Sequence, residues 1–167
     1  LGLSQPVVVE SIGWLPELGL DLTFRMDQLS WLFALLVTGA GTLVLVYCRN
    51  YFDDVEEGLA RFASVFLGFS ASMLGLVLAD NVYLIFIFWE ATSVFSFLLI
   101  AHSFRRRTSR SAALQALMVT TAGGLVMLVG LVILATISGT PNLSEMLESP
   151  PTGTLATVSV FLVLVGA

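Results

Sequence analysis

LADNVYLIFIFWEATSVFSFLLIAH, Leu78 to His102, holds, after Asp80 and Asn81, an apolar run of helix length with a single carboxylate, Glu90, near its middle. About 20 apolar residues suffice to cross a hydrocarbon core of about 30 Å at a rise of 1.5 Å per residue. An acidic side chain at the centre of such a span costs roughly 2.5 to 3.5 kcal/mol on insertion scales, so it is expected to face protein or a hydrated path and to mark ion or proton transfer. At about 100° per residue Glu90 shares its face with Phe86, Ile87, Ser93, Val94 and Phe97, of which only Ser93 can hydrogen-bond it. In low dielectric an ionised carboxylate is disfavoured, and a cation within a few ångströms restores it. A movable basic partner would therefore make Glu90 a proton switch. The alternative is a protonated structural glutamate bonded to a neighbouring helix.

The rest of the sequence is of the same kind. Of 167 residues, 57% are hydrophobic and 11% charged, and the mean hydropathy is +0.95; globular chains hold about 45 to 50% apolar residues. This predicts an all-α membrane protein, a polytopic transmembrane helix bundle in a lipid bilayer, with spans at about 28–47, 62–78, 82–101 and 112–137. A fifth apolar run, 155–167, is too short to cross. Seven basic against twelve acidic residues leave a net charge of −5, which excludes the basic face that nucleic-acid binding needs. Cys48 is the one cysteine, so an intrachain disulfide and a cysteine metal site are excluded. It is expected to pack at a helix end, with palmitoylation as the alternative. No cofactor is expected. Leu1 is not a start methionine and no signal peptide follows, so the chain is expected to be an internal segment of a longer polypeptide.

Residues 1–26 precede the first span. Leu18 to Asp27 alternates apolar and polar positions, the period of a strand, after Pro6, Gly13 and Pro16. This predicts an extended or hairpin segment on the outer membrane surface. Asp27 is placed to cap the first helix. Cys48 to Arg61 reads as a charged interfacial loop, with Tyr47, Tyr51 and Phe52 at headgroup level. The second span carries Ser64, Gly68, Ser72 and Gly75, small enough for a neighbouring helix to come close. Asp80 and Asn81 are the only polar residues between it and the third, so the turn is tight and the two helices must be antiparallel neighbours, with Asp80 a turn and cap residue rather than an ion ligand. In the fourth span Gly123 and Gly124 allow either close packing or local unwinding.

The charges divide by side. Arg49, Arg61, Arg105, Arg106, Arg107 and Arg110 fall in the connections at one end, and Arg25 alone lies at the other with Glu10, Glu17, Asp21, Asp27, Asp80, Glu145 and Glu148. The positive-inside rule then makes the Arg105 to Arg110 loop cytoplasmic, in a cell-membrane protein. His102, about 18 Å along the axis from Glu90, is either an interfacial histidine or a proton relay from that side. Trp89 is expected to pack. The chain has no lysine, and every arginine is at a span end or in a connection, so a counter-charge at the depth of Glu90 has to come from outside these residues.

Four stretches resemble the antiporter-like membrane subunits shared by Mrp-type multisubunit sodium/proton antiporters and the proton-pumping arm of complex I. They are MDQLSWLFALLVTGAGTLVLVY (Met26 to Tyr47), ADNVYLIFIFWEATSVFSFLLI (Ala79 to Ile100), TTAGG (Thr120 to Gly124) and FLVLVGA (Phe161 to Ala167). FWEATS is the specific one, since complex I relatives tend to have glycines after the Trp-Glu pair; it is most similar to the large A-type subunit of Mrp antiporters. The resemblance implies that Glu90 is the family's essential glutamate, paired with a lysine on a broken helix beyond Ala167. It also implies that the four spans belong to a larger antiporter-like inverted-repeat fold, with other subunits in the complex. Gln115 stands where many relatives carry a lysine of the proton entry route, so the resemblance implies a neutral amide at that step.

The expected function is that of an ion-translocating subunit of a Na+/H+ antiporter, acting by electrostatic coupling through Glu90, with Ser93, His102 and Gln115 along the proton or ion route and no covalent catalysis. The alternatives are a proton-pumping subunit of a complex I-type NADH:quinone oxidoreductase and a structural membrane scaffold.

Overall fold

The computed structural model describes residues 7–15, 20–51, 56–100 and 107–167. The chain starts with two antiparallel strands, β1 (Val8–Leu15) and β2 (Leu20–Met26), which pair Val8 with Met26 and Ile12 with Leu22. β1 runs through Gly13, where the sequence suggests a break; the irregularity is taken up as a register shift between Ile12 and Leu15. The polar face of β2 turns inward at Thr23, which is buried, while Val8, Val9 and Ile12 of β1 stay exposed. The Thr23 carbonyl accepts the Asp80 amide at 2.9 Å, and the Phe24 ring stands 6.3 Å from Phe88.

Helix α1 (Gln28–Tyr51) opens on Asp27, whose Oδ1 accepts the Ser30 amide at 2.8 Å and whose carbonyl takes the Trp31 amide at 2.9 Å. The bond from the Ser30 backbone holds the Asp27 carboxyl below the usual carboxylate range, despite the opposing effect of partial burial. Leu29, Leu32, Leu36 and Leu43 of α1 are all half or more exposed, as suits a lipid-facing helix. Cys48 is buried. α1 continues past the apolar run to Tyr51, and α2 (Glu56–Leu78) starts before it, so most of the expected loop from Cys48 to Arg61 is helical. Hydropathy marks what lies in hydrocarbon, whereas the backbone ladder continues until a breaker or competing bond stops it. Phe52 lies outside the described residues.

α2 and α3 (Val82–Ile100) pack through small residues. A Cβ added at Gly68 would run into the Phe95 ring, and one at Gly75 into Phe88. In the turn between them Asn81, not Asp80, caps α3: its Oδ1 accepts the Tyr83 amide at 2.9 Å. Asp80 works across the fold instead. Its carboxylate accepts the Ser144 amide at 3.0 Å and the Ser144 hydroxyl at 2.5 Å, and its carbonyl accepts the Leu143 amide at 2.8 Å. The β-hairpin, the 79–81 turn and the start of α5 (Leu143–Glu148) are therefore tied together at one end of the bundle, with Val82 N–H bonded to Pro141 as well.

α4 (Arg107–Ser138) begins before the expected 112 and is unbroken at Gly123 and Gly124, so the pair serves close packing rather than unwinding. It ends at Gly139, whose φ of 72° closes the helix in the left-handed region. α6 (Thr154–Gly166) lies along α4. A Cβ at Gly123 would stand 2.7 Å from the Gly166 carbonyl oxygen, and one at Gly130 2.6 Å from that of Ser159. Val82, Met127, Leu131, Ala135 and Met146 form the buried core where α3, α4 and α5 meet, with Phe86, Trp89 and Val163 packed on it. Among the described residues four helices are long and apolar enough to cross a membrane: Gln28–Arg49, Leu59–Leu78, Val82–Ile100 and Leu114–Ser138.

Candidate functional site

Glu90 is the one acidic residue within these four apolar segments. It stands in the middle of α3, eight residues from Val82 and ten from Ile100, which is roughly 12 Å and 15 Å along the axis. Its carboxylate is turned toward α4. Position 124 is a glycine, and a Cβ there would overlap Glu90 Oε1 and stand 3.2 Å from Cδ and 3.8 Å from the Phe86 ring. Gly124 thus leaves a notch in α4 that the carboxylate fills. Oε1 is buried and has no hydrogen-bond partner among the described residues. A buried acceptor without a donor is costly, so this atom calls for a proton of its own or a donor from another segment.

Ser93 does not provide that donor. Its hydroxyl points to the Trp89 carbonyl at 3.4 Å, and the Thr92 hydroxyl takes the same carbonyl at 2.7 Å. In a helix the carbonyl three or four residues back lies within reach of a Ser or Thr hydroxyl, and this local bond wins over one to the neighbouring side chain. Trp89 packs against the core cluster. Gln115 is on α4 and exposed, not drawn into the Glu90 contact. His102, Arg105 and Arg106 lie outside the described residues. Asp27 and Asp80 belong to the opposite end, where they cap α1 and hold α5. Of the expected site residues the structure therefore brings together Glu90 and its own helix neighbour Ser93, and adds Gly124, for which the sequence left close packing and local unwinding open. The signal for it was the Gly-Gly pair at the middle of a span, the same depth as Glu90.

Residues 79–167 match the family described as NADH:quinone oxidoreductase/Mrp antiporter, TM, and residues 8–63 match the complex I chain 5 N-terminus family. A probable K(+)/H(+) antiporter A/B-type subunit of Rhizobium meliloti is 45% identical over 87% of this chain and 14% of its own length. The A-type Na(+)/H(+) antiporter subunit of Alkalihalophilus pseudofirmus is 40% identical over 96% of this chain and 20% of its own. The chain thus spans about a seventh to a fifth of these relatives. Among solved structures, a chain of the Mrp complex from a Dietzia species superposes with a TM-score of 0.84 at 32% identity, over 98% of this chain and 19% of that one. Respiratory complex I from Thermus thermophilus shares the fold, with a TM-score of 0.69 at 20% identity, over 94% of this chain and 32% of its own.

Proposed function

The chain belongs to the NADH:quinone oxidoreductase/Mrp antiporter transmembrane family, and from that premise we propose that it is the part of a large, A-type cation/proton antiporter subunit that carries the charge switch, Glu90. The observation that carries this reading is the single carboxylate in the middle of α3, with a buried oxygen that has no donor among the described residues. The names of relatives at 40 to 45% identity, Na(+)/H(+) and K(+)/H(+) antiporter subunits, support it.

Glu90 works by exchange of partners. While a basic side chain from outside these residues stands near it, the carboxylate is ionised; when that group withdraws, the low dielectric favours protonation, and a proton is taken up. The motion of the basic group is thereby coupled to proton transfer, and cation movement to both. Na+ and H+ are the exchanged ions, and other subunits of a multisubunit complex are the partners. The protein lies in the cell membrane with its Arg-rich connections cytoplasmic and its β-hairpin, 79–81 turn and α5 outside. The bonds joining those three segments at one end support that assignment. A complex I-type proton pump is the second reading, favoured by the match of residues 8–63 to a complex I chain; purification with NADH- or quinone-linked subunits would select it.

The test is Glu90→Gln in the full-length subunit within its complex, assayed for cation/proton exchange in everted vesicles. The amide keeps shape and hydrogen bonding but cannot change charge, so assembly is expected to persist and exchange to vanish, while Glu90→Asp keeps part of it. Full exchange by the Gln variant would refute the switch.

A further inference from the structure

Residues 80–82, which lead into α3, and residues 141–144, which follow α4, run against each other as a short ladder. The Leu143 amide donates to the Asp80 carbonyl at 2.8 Å and the Val82 amide to the Pro141 carbonyl at 2.9 Å, and Asn81 faces Asn142 in an antiparallel bridge. Asp80 closes the ladder with its side chain, which takes the Ser144 amide at 3.0 Å and the Ser144 hydroxyl at 2.5 Å. The receiving loop is braced from within: Glu145 accepts the Thr140 hydroxyl at 2.5 Å and the Asn142 side-chain amide at 2.9 Å. Asp80 and Asn81 are 5% and 1% exposed, so little water competes for these bonds.

The ladder fastens α3 to α4 where no apolar contact could. Deeper in the bundle Val82 of α3 and Met127 and Leu131 of α4 share one apolar cluster. In lipid such contacts gain little over contacts with acyl chains, so they hold the axial position of one helix against the other only weakly, and interhelical hydrogen bonds carry more of the specificity. The Glu90 contact needs that position held. A slip of one residue moves α3 by 1.5 Å, and the α4 residues that share the Gly124 face, Thr120, Met127 and Leu128, all carry side chains. Gly123 and Gly130 are taken up by α6. From Val82 to Glu90 the helix runs about 12 Å with no proline or glycine to bend it, so the end held by the ladder sets the height of the carboxylate.

We propose that Asp80 is a positioning residue for Glu90: by holding Ser144 it fixes the axial register of α3 on α4 and so keeps the carboxylate in the Gly124 notch. The proposal rests on Glu90 being the group that changes charge. Asp80 acts as a two-point acceptor at the end of the bundle and takes no part in the ion route itself.

Exchange per assembled complex, measured in vesicles with the full-length subunit, tests it. Asp80→Ala removes the clamp, and exchange should fall at least about 10-fold, toward the loss expected when a reacting group is misplaced by about 1 Å. Asp80→Asn keeps the clamp, since the amide oxygen can take the Ser144 N–H while the amide nitrogen donates to the Ser144 hydroxyl oxygen; its exchange should stay close to that of the unsubstituted protein. A role confined to stability would lower the amount of complex and leave its rate alone. In Asp80→Ala/Gly124→Ala the notch is already filled, so loss of the clamp should add little to Gly124→Ala, because the two act on one contact. Unchanged exchange per complex in Asp80→Ala, an equal loss in Asp80→Asn, or losses that multiply in the double variant would overturn the proposal. Ser144→Ala, which removes one of the two bonds, replaces Asp80→Ala if that variant does not assemble, with a smaller loss expected. If Glu90→Gln exchanges normally, the reading of Glu90 falls and the clamp with it. If Glu90→Gln abolishes exchange while Asp80→Ala leaves it intact, only the clamp falls.

Discussion

Glu90 fills the space that a side chain at Gly124 would occupy, so that a single hydrogen at position 124 decides whether the carboxylate can lie against α4. The neighbouring Gly123 makes a different close approach, to the Gly166 carbonyl oxygen of α6. Two adjacent glycines thus serve two interfaces, about 100° apart around one helix.

Alanine substitutions should separate them. Gly124→Ala gains about 1 kcal/mol of helix propensity and meets only the flexible end of Glu90, so the protein is expected to assemble with its carboxylate displaced. A reacting group misplaced by about 1 Å can cost on the order of 100-fold in rate, and exchange in vesicles should fall toward that extent. At Gly123→Ala the added methyl meets backbone, which cannot rotate away, so the expected loss is of α4–α6 packing and of assembled complex. Normal exchange by Gly124→Ala would show that the notch does not position Glu90.

The buried Asp80 carboxylate and Ser144, 64 residues apart, share two hydrogen bonds. A buried polar group left without its partner costs about 1 to 3 kcal/mol. Asp80→Ala orphans the Ser144 amide and hydroxyl, whereas Ser144→Ala removes one bond and keeps the other. Thermal unfolding of the detergent-purified protein should show Asp80→Ala the more destabilised, and the double variant less destabilised than the two single losses added, since residues in contact do not behave independently. Additive losses would mean that the two groups do not support one another.

What could be read in advance depended on the range of the interaction. Apolar runs of span length and one acid among them are visible residue by residue, because the bilayer acts on each position separately. The Asp27 cap was visible too, since its partner is three residues away. Asp80 was seen as a turn residue without its true partner, because nothing in the sequence brings the first turn of α5 to the α2–α3 turn. Ser93 was given to Glu90 although its hydroxyl reaches the Trp89 carbonyl more readily than a neighbouring side chain. The helical ends of α1, α2 and α4 ran past their apolar limits, since charged residues such as Arg49 and Arg107 leave the hydrocarbon without leaving the helix. The contact of Glu90 with Gly124 needed the relative rotation of α3 and α4, which neither periodicity alone defines.

The proposed orientation in the membrane rests on charge and on the end contacts together. Six of the seven arginines fall in the connections α1–α2 and α3–α4 or at their helix ends. The hairpin, the Asp80 turn and α5 are bonded to one another at the other end, so they must share a side. Arginine in short loops is retained on the cytoplasmic side, so the proposed orientation has residue 109 inside and residue 149 outside. In a Cys48→Ser background, Ser109→Cys and Ser149→Cys should be labelled by an impermeant thiol reagent from opposite faces, residue 109 in everted vesicles and residue 149 in intact cells. An odd number of crossings between 109 and 149 is what α4 supplies; labelling of both from one face would remove α4 as a span and with it the depth assigned to Gly124 beside Glu90.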